Sequence, residues 1–395
     1  MSAPQSTPAR ARPHPTQREH SVPWFWPFAA AIEMGNAGLQ RYLDNLKFVT
    51  EAKTITLPPP PAWASANRVR LDLDTMVLRD FSRVEGRSPG APVLIDPPMA
   101  GHSSTIADYA PGQSLVETLL DAGVENVVAA DWKTATDSMR DFDIDTYLAE
   151  INVIVDELGG AAHLVGLCQG GWMSAMYAAR FPGKVRSLVL AGAPIDTDAG
   201  NGEIKKIAHR LPMSFYEALV AAGNGRMLGS IMLAGWKNMH PENQFEKYID
   251  LYGHIDDTCY VRRAERFARW YENPLDLPGR YYLQAIDRLF KHNEFAKNKF
   301  VALGRTLDLK TITVPVYLIA GDSDDITPKE QVFNAAHLLG TPAANIVRRE
   351  VPGGHIGLFM GTRTLTDVWP GVGHWIGDID RGFAQAPARA SRRTG

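Results

Sequence analysis

Short apolar runs and stretches of helical period alternate through most of this chain. Met76 to Phe81, Pro92 to Asp96, Asn126 to Asp131, His163 to Leu167, Val185 to Ala191 and Val314 to Ile319 are rich in Val, Ile, Leu and Ala. Four to eight such residues bounded by turn formers predict buried strands. Between them, Ser114 to Ala122, about Asp143 to Leu158 and Gln169 to Phe181 repeat their apolar residues every three or four positions. That period predicts helices, and Ile346 to Val351 reads as one more strand. Alternation of this kind implies an α/β fold, a mostly parallel sheet with helices on both faces.

From about Asp196 to Arg305 the rhythm stops. The stretch is helical in pattern and carries Phe215, Tyr216, Trp236, Trp270, Tyr281 and Tyr282. It lies between two strands, which predicts a helical cap inserted over the carboxyl ends of the sheet. The expected organisation is a polar start with amphipathic helices over 1–62, core over 63–195, cap over 196–305, core again over 306–382, and a disordered tail over 383–395. Residues 1–20 are rich in Pro, Arg, Ser and Thr and are expected to be disordered. Trp24 to Val49 has apolar residues near helical spacing. Its first part, Val22 to Ile32, is short and broken by Pro23 and Pro27, so it reads as a surface or interfacial helix and not a cleaved signal. The cluster Trp24-Phe25-Trp26 suits a hydrophobic surface and the core equally.

Composition narrows the classes. Lys plus Arg total 41 against 44 for Asp plus Glu, a net charge of −3, which with no basic stripe argues against a nucleic-acid partner. No run of about 18 apolar residues predicts a membrane span. The two cysteines, Cys168 and Cys259, make neither a disulfide framework nor a metal-ligand spacing, so no metal is expected and a reducing cytoplasm fits.

One thiol sits in reactive surroundings. Gly166-Leu167-Cys168-Gln169-Gly170-Gly171 follows the apolar strand HLVGL and precedes the helix-compatible WMSAMYAAR. This is the setting of a nucleophile elbow, a tight turn that lifts the reactive side chain above the sheet. A helix N-terminus and a neighbouring imidazolium both favour a thiolate. An acid and then a histidine should follow in chain order. Strand VPVYLIAGD runs into Asp324, chosen over Asp322 and Asp325, which are expected to cap the turn or the helix near Lys329. The strand IVRREV ends in Pro352-Gly353-Gly354-His355, where a general base belongs. The two N–H donors of an oxyanion hole are expected from Gln169 and from Met99 or Ala100, in the loop after the strand PVLID. Cys259, among charged residues, reads as a bystander. His102, His254 and His374 read as structural.

These residues resemble the polyhydroxyalkanoate synthases and the related intracellular polyhydroxyalkanoate depolymerases, members of the α/β-hydrolase superfamily. The resemblance spans about residues 68 to 380. Gly166, Cys168, Gly170 and Gly171 match the synthase pattern G-x-C-x-G-G, and PGQSLVETLLDAG, DSMRDFDIDTYL, LDLKTITVPV and PGGHIGLFMG are similar to synthase segments. PPMAGHSSTI and MLAGWKNMHPENQFEKYIDLY look more like the depolymerases, as does Asp325 after Asp324. Gly170 departs from the depolymerase pattern, which has proline there. The resemblance implies an α/β-hydrolase fold and an acyltransferase that uses Cys168, Asp324 and His355 to join 3-hydroxyacyl groups through a Cys thioester. The alternative is a depolymerase or related ester hydrolase with the same triad. It implies no bound cofactor, coenzyme A being part of the substrate. Expected partners are 3-hydroxyacyl-CoA or polyester, a polyhydroxyalkanoate granule surface and, as an assembly, a homodimer.

Overall fold

The computed structural model describes residues 59–83, 90–239 and 257–385. The expected helices over Trp24 to Val49 and the polar start before them lie outside these residues. Eight strands form one sheet: β1 Arg68–Asp72, β2 Met76–Asp80, β3 Val93–Asp96, β4 Val127–Trp132, β5 Ala162–Leu167, β6 Val185–Ala191, β7 Val316–Gly321 and β8 Ile346–Val351. Their spatial order is β1-β2-β4-β3-β5-β6-β7-β8. β2 pairs antiparallel with β1 and with β4, and every later pairing is parallel. Strand order and direction are those of the α/β-hydrolase fold.

The strand residues explain why the sheet is covered twice. Every residue of β3 and β5 is buried. Leu94 and Leu164 point to one apolar layer with Tyr147, Trp172 and Met176, while Val93, Ile95 and Leu167 point to the other with Leu115, Leu119 and Trp369. Strands buried on both faces read as continuous apolar runs, which is why they were visible in the sequence. Each fully buried Leu or Ile contributes roughly 1.5–3 kcal/mol. β1 was not foreseen: it is a half-exposed edge strand, RVRLD, whose alternating charges mask its period.

Helices cross between the strands. α1 (Leu115–Asp121) starts at Ser114, whose hydroxyl accepts from Glu117 N at 2.9 Å. α2 (Ile144–Glu157) starts at Asp143, which exchanges hydrogen bonds with Thr146, and it buries Ile144, Tyr147, Leu148, Ile151, Ile154 and Val155 at helical spacing. α3 (Gln169–Arg180) leaves the end of β5 and is buried from Gly170 to Ala179. Between β6 and β7 the helices are α4 Glu203–Arg210, α5 Met213–Ala222, α6 Gly229–Met239, α7 Thr258–Tyr271 and α8 Gly279–Gln284. No strand of the main sheet interrupts them among the described residues. The last helix, α9, runs Trp369–Gln385, three residues into the tail expected to be disordered. Phe383-Ala384-Gln385 tolerate a helix, and the residue before Pro387 is the first one that does not. Among the described residues no helix is long and apolar enough to cross a membrane.

Candidate active site

β5 ends at Leu167 and α3 begins at Gln169, so one residue makes the whole turn. That residue is Cys168, with φ 51° and ψ −115°. An L-residue held there stores about 1–3 kcal/mol, and only surrounding structure keeps it in place. Cys168 N donates to Ala191 O on β6 at 2.8 Å, and Gly171 N donates to Cys168 O at 2.9 Å. Two glycines make the approach sterically allowed. A Cβ on Gly170 would lie 1.9 Å from Asp96 O, and one on Gly166 would lie 2.4 Å from Gly171 Cα. Neither backbone has room to withdraw, so strand, turn and helix meet only with glycine at both positions. Cys168 then heads a 12-residue helix, where the dipole favours negative charge on the sulfur.

The partners come from the neighbouring strand ends. His355 Nδ1 donates to Asp324 Oδ2 at 2.7 Å. The Asp324 side chain is buried, and its other oxygen accepts from Ile326 N at 3.1 Å and Thr327 N at 2.8 Å. The turn is therefore capped by Asp324 itself, where Asp322 and Asp325 were expected to do it. Asp322 serves the opposite loop: its Oδ1 accepts from Gly353 N at 2.9 Å, while Asp322 N donates to Val351 O at 2.9 Å. These bonds lace the ends of β7 and β8 together and fix the His355 loop against Asp324.

The imidazole also feels the Cys168 side chain. Burial alone would push the His355 imidazole down. Attraction to Cys168 and to the Asp324 carboxylate, with the hydrogen bond to Asp324, outweighs it and holds the imidazole well above its ordinary value. Sulfur, imidazole and carboxylate are thus gathered in one buried site.

An apolar cavity of about 140 Å³ opens from Cys168. Ala100, Gln169 and Thr327 form its floor with the cysteine. Ile204, Leu211, Phe215, Tyr282, Ile286 and Phe290, from between β6 and β7, are among the apolar residues that line the rest. Of the expected oxyanion donors, Gln169 and Ala100 face this space, and Met99 is buried in the core beside it. Gln169 is the first residue of α3, so its N–H has no preceding turn to bond to.

Other expectations resolve simply. Cys259 is exposed near the start of α7, away from this site, where its N–H donates to Asp257. His102 stacks against both Trp270 (4.7 Å) and Tyr271 (5.0 Å) of α7, and burial drops its pKa to about 4, so it is neutral near pH 7. Trp270 Nε1 also donates to Ser103 O at 3.0 Å, so α7 grips the loop that carries Ala100. His374 lies on α9, and His254 lies outside the described residues. Asp96 went unnoticed. It is wholly buried, burial pushes its carboxyl well up, and it accepts from Ser174 Oγ at 3.0 Å. An acid ending an apolar strand directly before Pro97-Pro98 was the available signal.

Residues 85–351 match a family model described as protein of unknown function, DUF3141. The chain belongs to that family. This DUF3141 chain is 29% identical over 297 residues to the poly(3-hydroxyalkanoate) polymerase subunit PhaC of Haloferax mediterranei, a match covering 73% of this chain and 59% of that protein. It is 27% identical over 313 residues to the subunit of the same name from Allochromatium vinosum, covering 77% and 86%. The chain thus spans about six-tenths of the first relative's length and most of the second's. The similarity to polyhydroxyalkanoate polymerases carried by the elbow motif therefore extends along the folded core. Among solved structures, a Bacillus megaterium epoxide hydrolase superposes with a TM-score of 0.47 at 14% identity, over 75% of this chain and 97% of that one.

Proposed function

We propose that this chain is a cysteine-dependent acyltransferase of polyhydroxyalkanoate metabolism, joining 3-hydroxyacyl groups taken from 3-hydroxyacyl-CoA. The observation that carries the reading is the buried free thiol at the head of α3, in interaction with an imidazole that Asp324 holds at 2.7 Å. Its similarity to PhaC polymerase subunits supports the choice of substrate.

His355 holds the proton from Cys168, and the sulfur attacks the thioester carbonyl. The N–H groups of Gln169 and of Ala100 or Met99 receive the negative oxygen that forms. The bond to the carrier sulfur breaks, and His355 returns the proton to that leaving thiolate. A second 3-hydroxyl group then gives its proton to His355 and attacks the Cys168 thioester. An ester bond forms and the enzyme sulfur is released. Each step moves one proton through His355, and no further oxidant or metal is needed to balance it. The helices between β6 and β7 act as the cap, and their apolar wall keeps water from replacing the hydroxyl. The acyl-CoA, the polyester and a granule surface are the expected partners, in the cytoplasm.

A depolymerase using the same three residues is the second reading, favoured by the first loop, Pro97-Pro98-Met99-Ala100-Gly101-His102. One assay separates them. Purified protein is offered 3-hydroxybutyryl-CoA and, separately, amorphous polyester granules. Free CoA with insoluble polymer supports the transferase; soluble hydroxyacids from granules support the depolymerase. Release of neither contradicts both.

A further inference from the structure

A thioester bound at Cys168 has two ends that must leave the carbonyl in different directions. The acyl tail has the apolar cavity, whose lining contains no charged side chain. The carrier must go elsewhere, and the chemistry says where. His355 Nδ1 is committed to Asp324, so the opposite ring nitrogen returns the proton to the leaving sulfur. That sulfur departs beside His355, and the carrier runs out past the His355 loop.

A second cleft, of about 290 Å³, lies beside that loop. Ile356, the residue after His355, lines it together with Met360 and Tyr109. Helix α7 adds Arg263, Arg266 and Phe267. The two arginines are exposed and three residues apart, so they share a helix face. Among the described residues neither takes part in an ion pair, whereas Arg79 is held by Asp131 at 2.6 Å, Arg226 by Asp276 at 3.0 Å and Arg288 by Glu294 at 2.8 Å. Arg266 also lies close enough to the Tyr109 phenol to oppose, through its charge, the rise that burial imposes on that group. Two guanidinium groups at one mouth of a chain with net charge −3 are a local concentration of positive charge. Planar guanidinium groups bind phosphate oxygens in pairs, and they do so best where no carboxylate competes.

We propose that this cleft binds the phosphate-bearing end of the acyl donor's carrier, with Arg263 and Arg266 as the groups that hold its pyrophosphate. The inference rests on the reading of the donor as an acyl-CoA. It assigns the two ends of the donor to opposite sides of the nucleophile: apolar tail under α4 and α5, anionic carrier between α7 and the His355 loop.

The test uses the full chain and the variants Arg263→Ala, Arg266→Ala and the double variant, all at exposed positions where folding should be unchanged. Two substrates share one acyl group: 3-hydroxybutyryl-CoA and the 3-hydroxybutyryl thioester of N-acetylcysteamine, which lacks every phosphate. The double variant should raise KM for the CoA thioester by about tenfold or more with kcat retained, and leave the truncated thioester within about twofold. Arg→Lys at both positions should fall between, since an ammonium binds phosphate as a point charge. Calorimetric binding of free CoA gives a readout independent of turnover. It should weaken with added salt and be lost in the double variant. Equal loss on both thioesters, no change on either, or no binding of CoA to the unmodified chain overturns the inference. CoA binding that needs the two arginines, in a chain that turns over neither thioester, upholds the cleft and refutes the transferase reading instead.

Discussion

At the scale of the residue, the decisive feature is that one imidazole responds to both Cys168 and Asp324. Its pKa stands above the ordinary value of about 6.5 because Cys168 and Asp324 together overcome burial. The sign follows. A group raised in the folded state stabilises the fold fully below its unfolded value, and that contribution disappears as pH rises through the folded value. Catalysis should keep the same upper boundary, because His355 must hold a proton to release the leaving thiol. Asp324→Asn removes the carboxylate charge and should move the alkaline limb of kcat/KM toward lower pH, as well as lowering kcat. A pH–rate profile of the variant checks this; an unmoved or upward-shifted limb contradicts it. Much of this chemistry was legible in the sequence, because a Cys between spaced glycines, an Asp beyond a strand and a His after Gly-Gly each sit at a strand end. The hydrogen bonds that fix them were not. Asp322 reaching across to Gly353 depends on two loops meeting from strands some thirty residues apart, while Asp324 capping its own turn is a local choice among three neighbouring aspartates.

At the scale of the element, the elbow stands or falls on close approach. Gly170 sits where any side chain would overlap the carbonyl of Asp96, at 1.9 Å from a built Cβ. Gly170→Ala should cost about 3 kcal/mol or more, read as a lower denaturation midpoint, because both the strand end and the helix start are buried backbone. A change under about 0.5 kcal/mol, the usual range for a surface substitution, would mean that α3 is not seated as described. Strands such as β3 and β5 were readable because burial on both faces leaves an unbroken apolar run. β1 was not, since an edge strand exposes its charged residues and shows no such run. The end of α9 was misjudged for a different reason. Low apolar content marks residues 383–395 as tail, while backbone hydrogen bonding carries the helix on to Gln385.

At the scale of the whole molecule, sheet and inserted helices divide the work. The sheet holds sulfur, imidazole and carboxylate at the ends of β5, β7 and β8, and the helices between β6 and β7 shape what the sulfur meets. The cavity of about 140 Å³ is close to the roughly 150 Å³ space lined by Leu, Ile and Phe that holds a benzene-sized group in other proteins. Ile204, partly buried on α4, lines it. Ile204→Phe should therefore cut kcat/KM for an eight-carbon acyl thioester by about tenfold while sparing a four-carbon one. A chain-length series measures this, and equal loss at all lengths would place the acyl tail elsewhere. The sequence announced a helical insertion rich in aromatics. It did not reveal which of those side chains face the sulfur, because that depends on how α4, α5 and α8 cross.

The central claim is a covalent acyl group on one sulfur. Intact and peptide mass spectrometry of the protein quenched in acid during reaction with 3-hydroxybutyryl-CoA tests it directly. Cys259→Ser should serve as the background, since that exposed thiol would otherwise acylate adventitiously. The peptide containing Cys168 should gain the mass of one or more 3-hydroxybutyryl units, lost on hydroxylamine treatment and absent in Cys168→Ala, whose turnover falls by about 10⁴-fold or more. Turnover that continues in Cys168→Ala, or an acyl group carried only on some other residue, would contradict it.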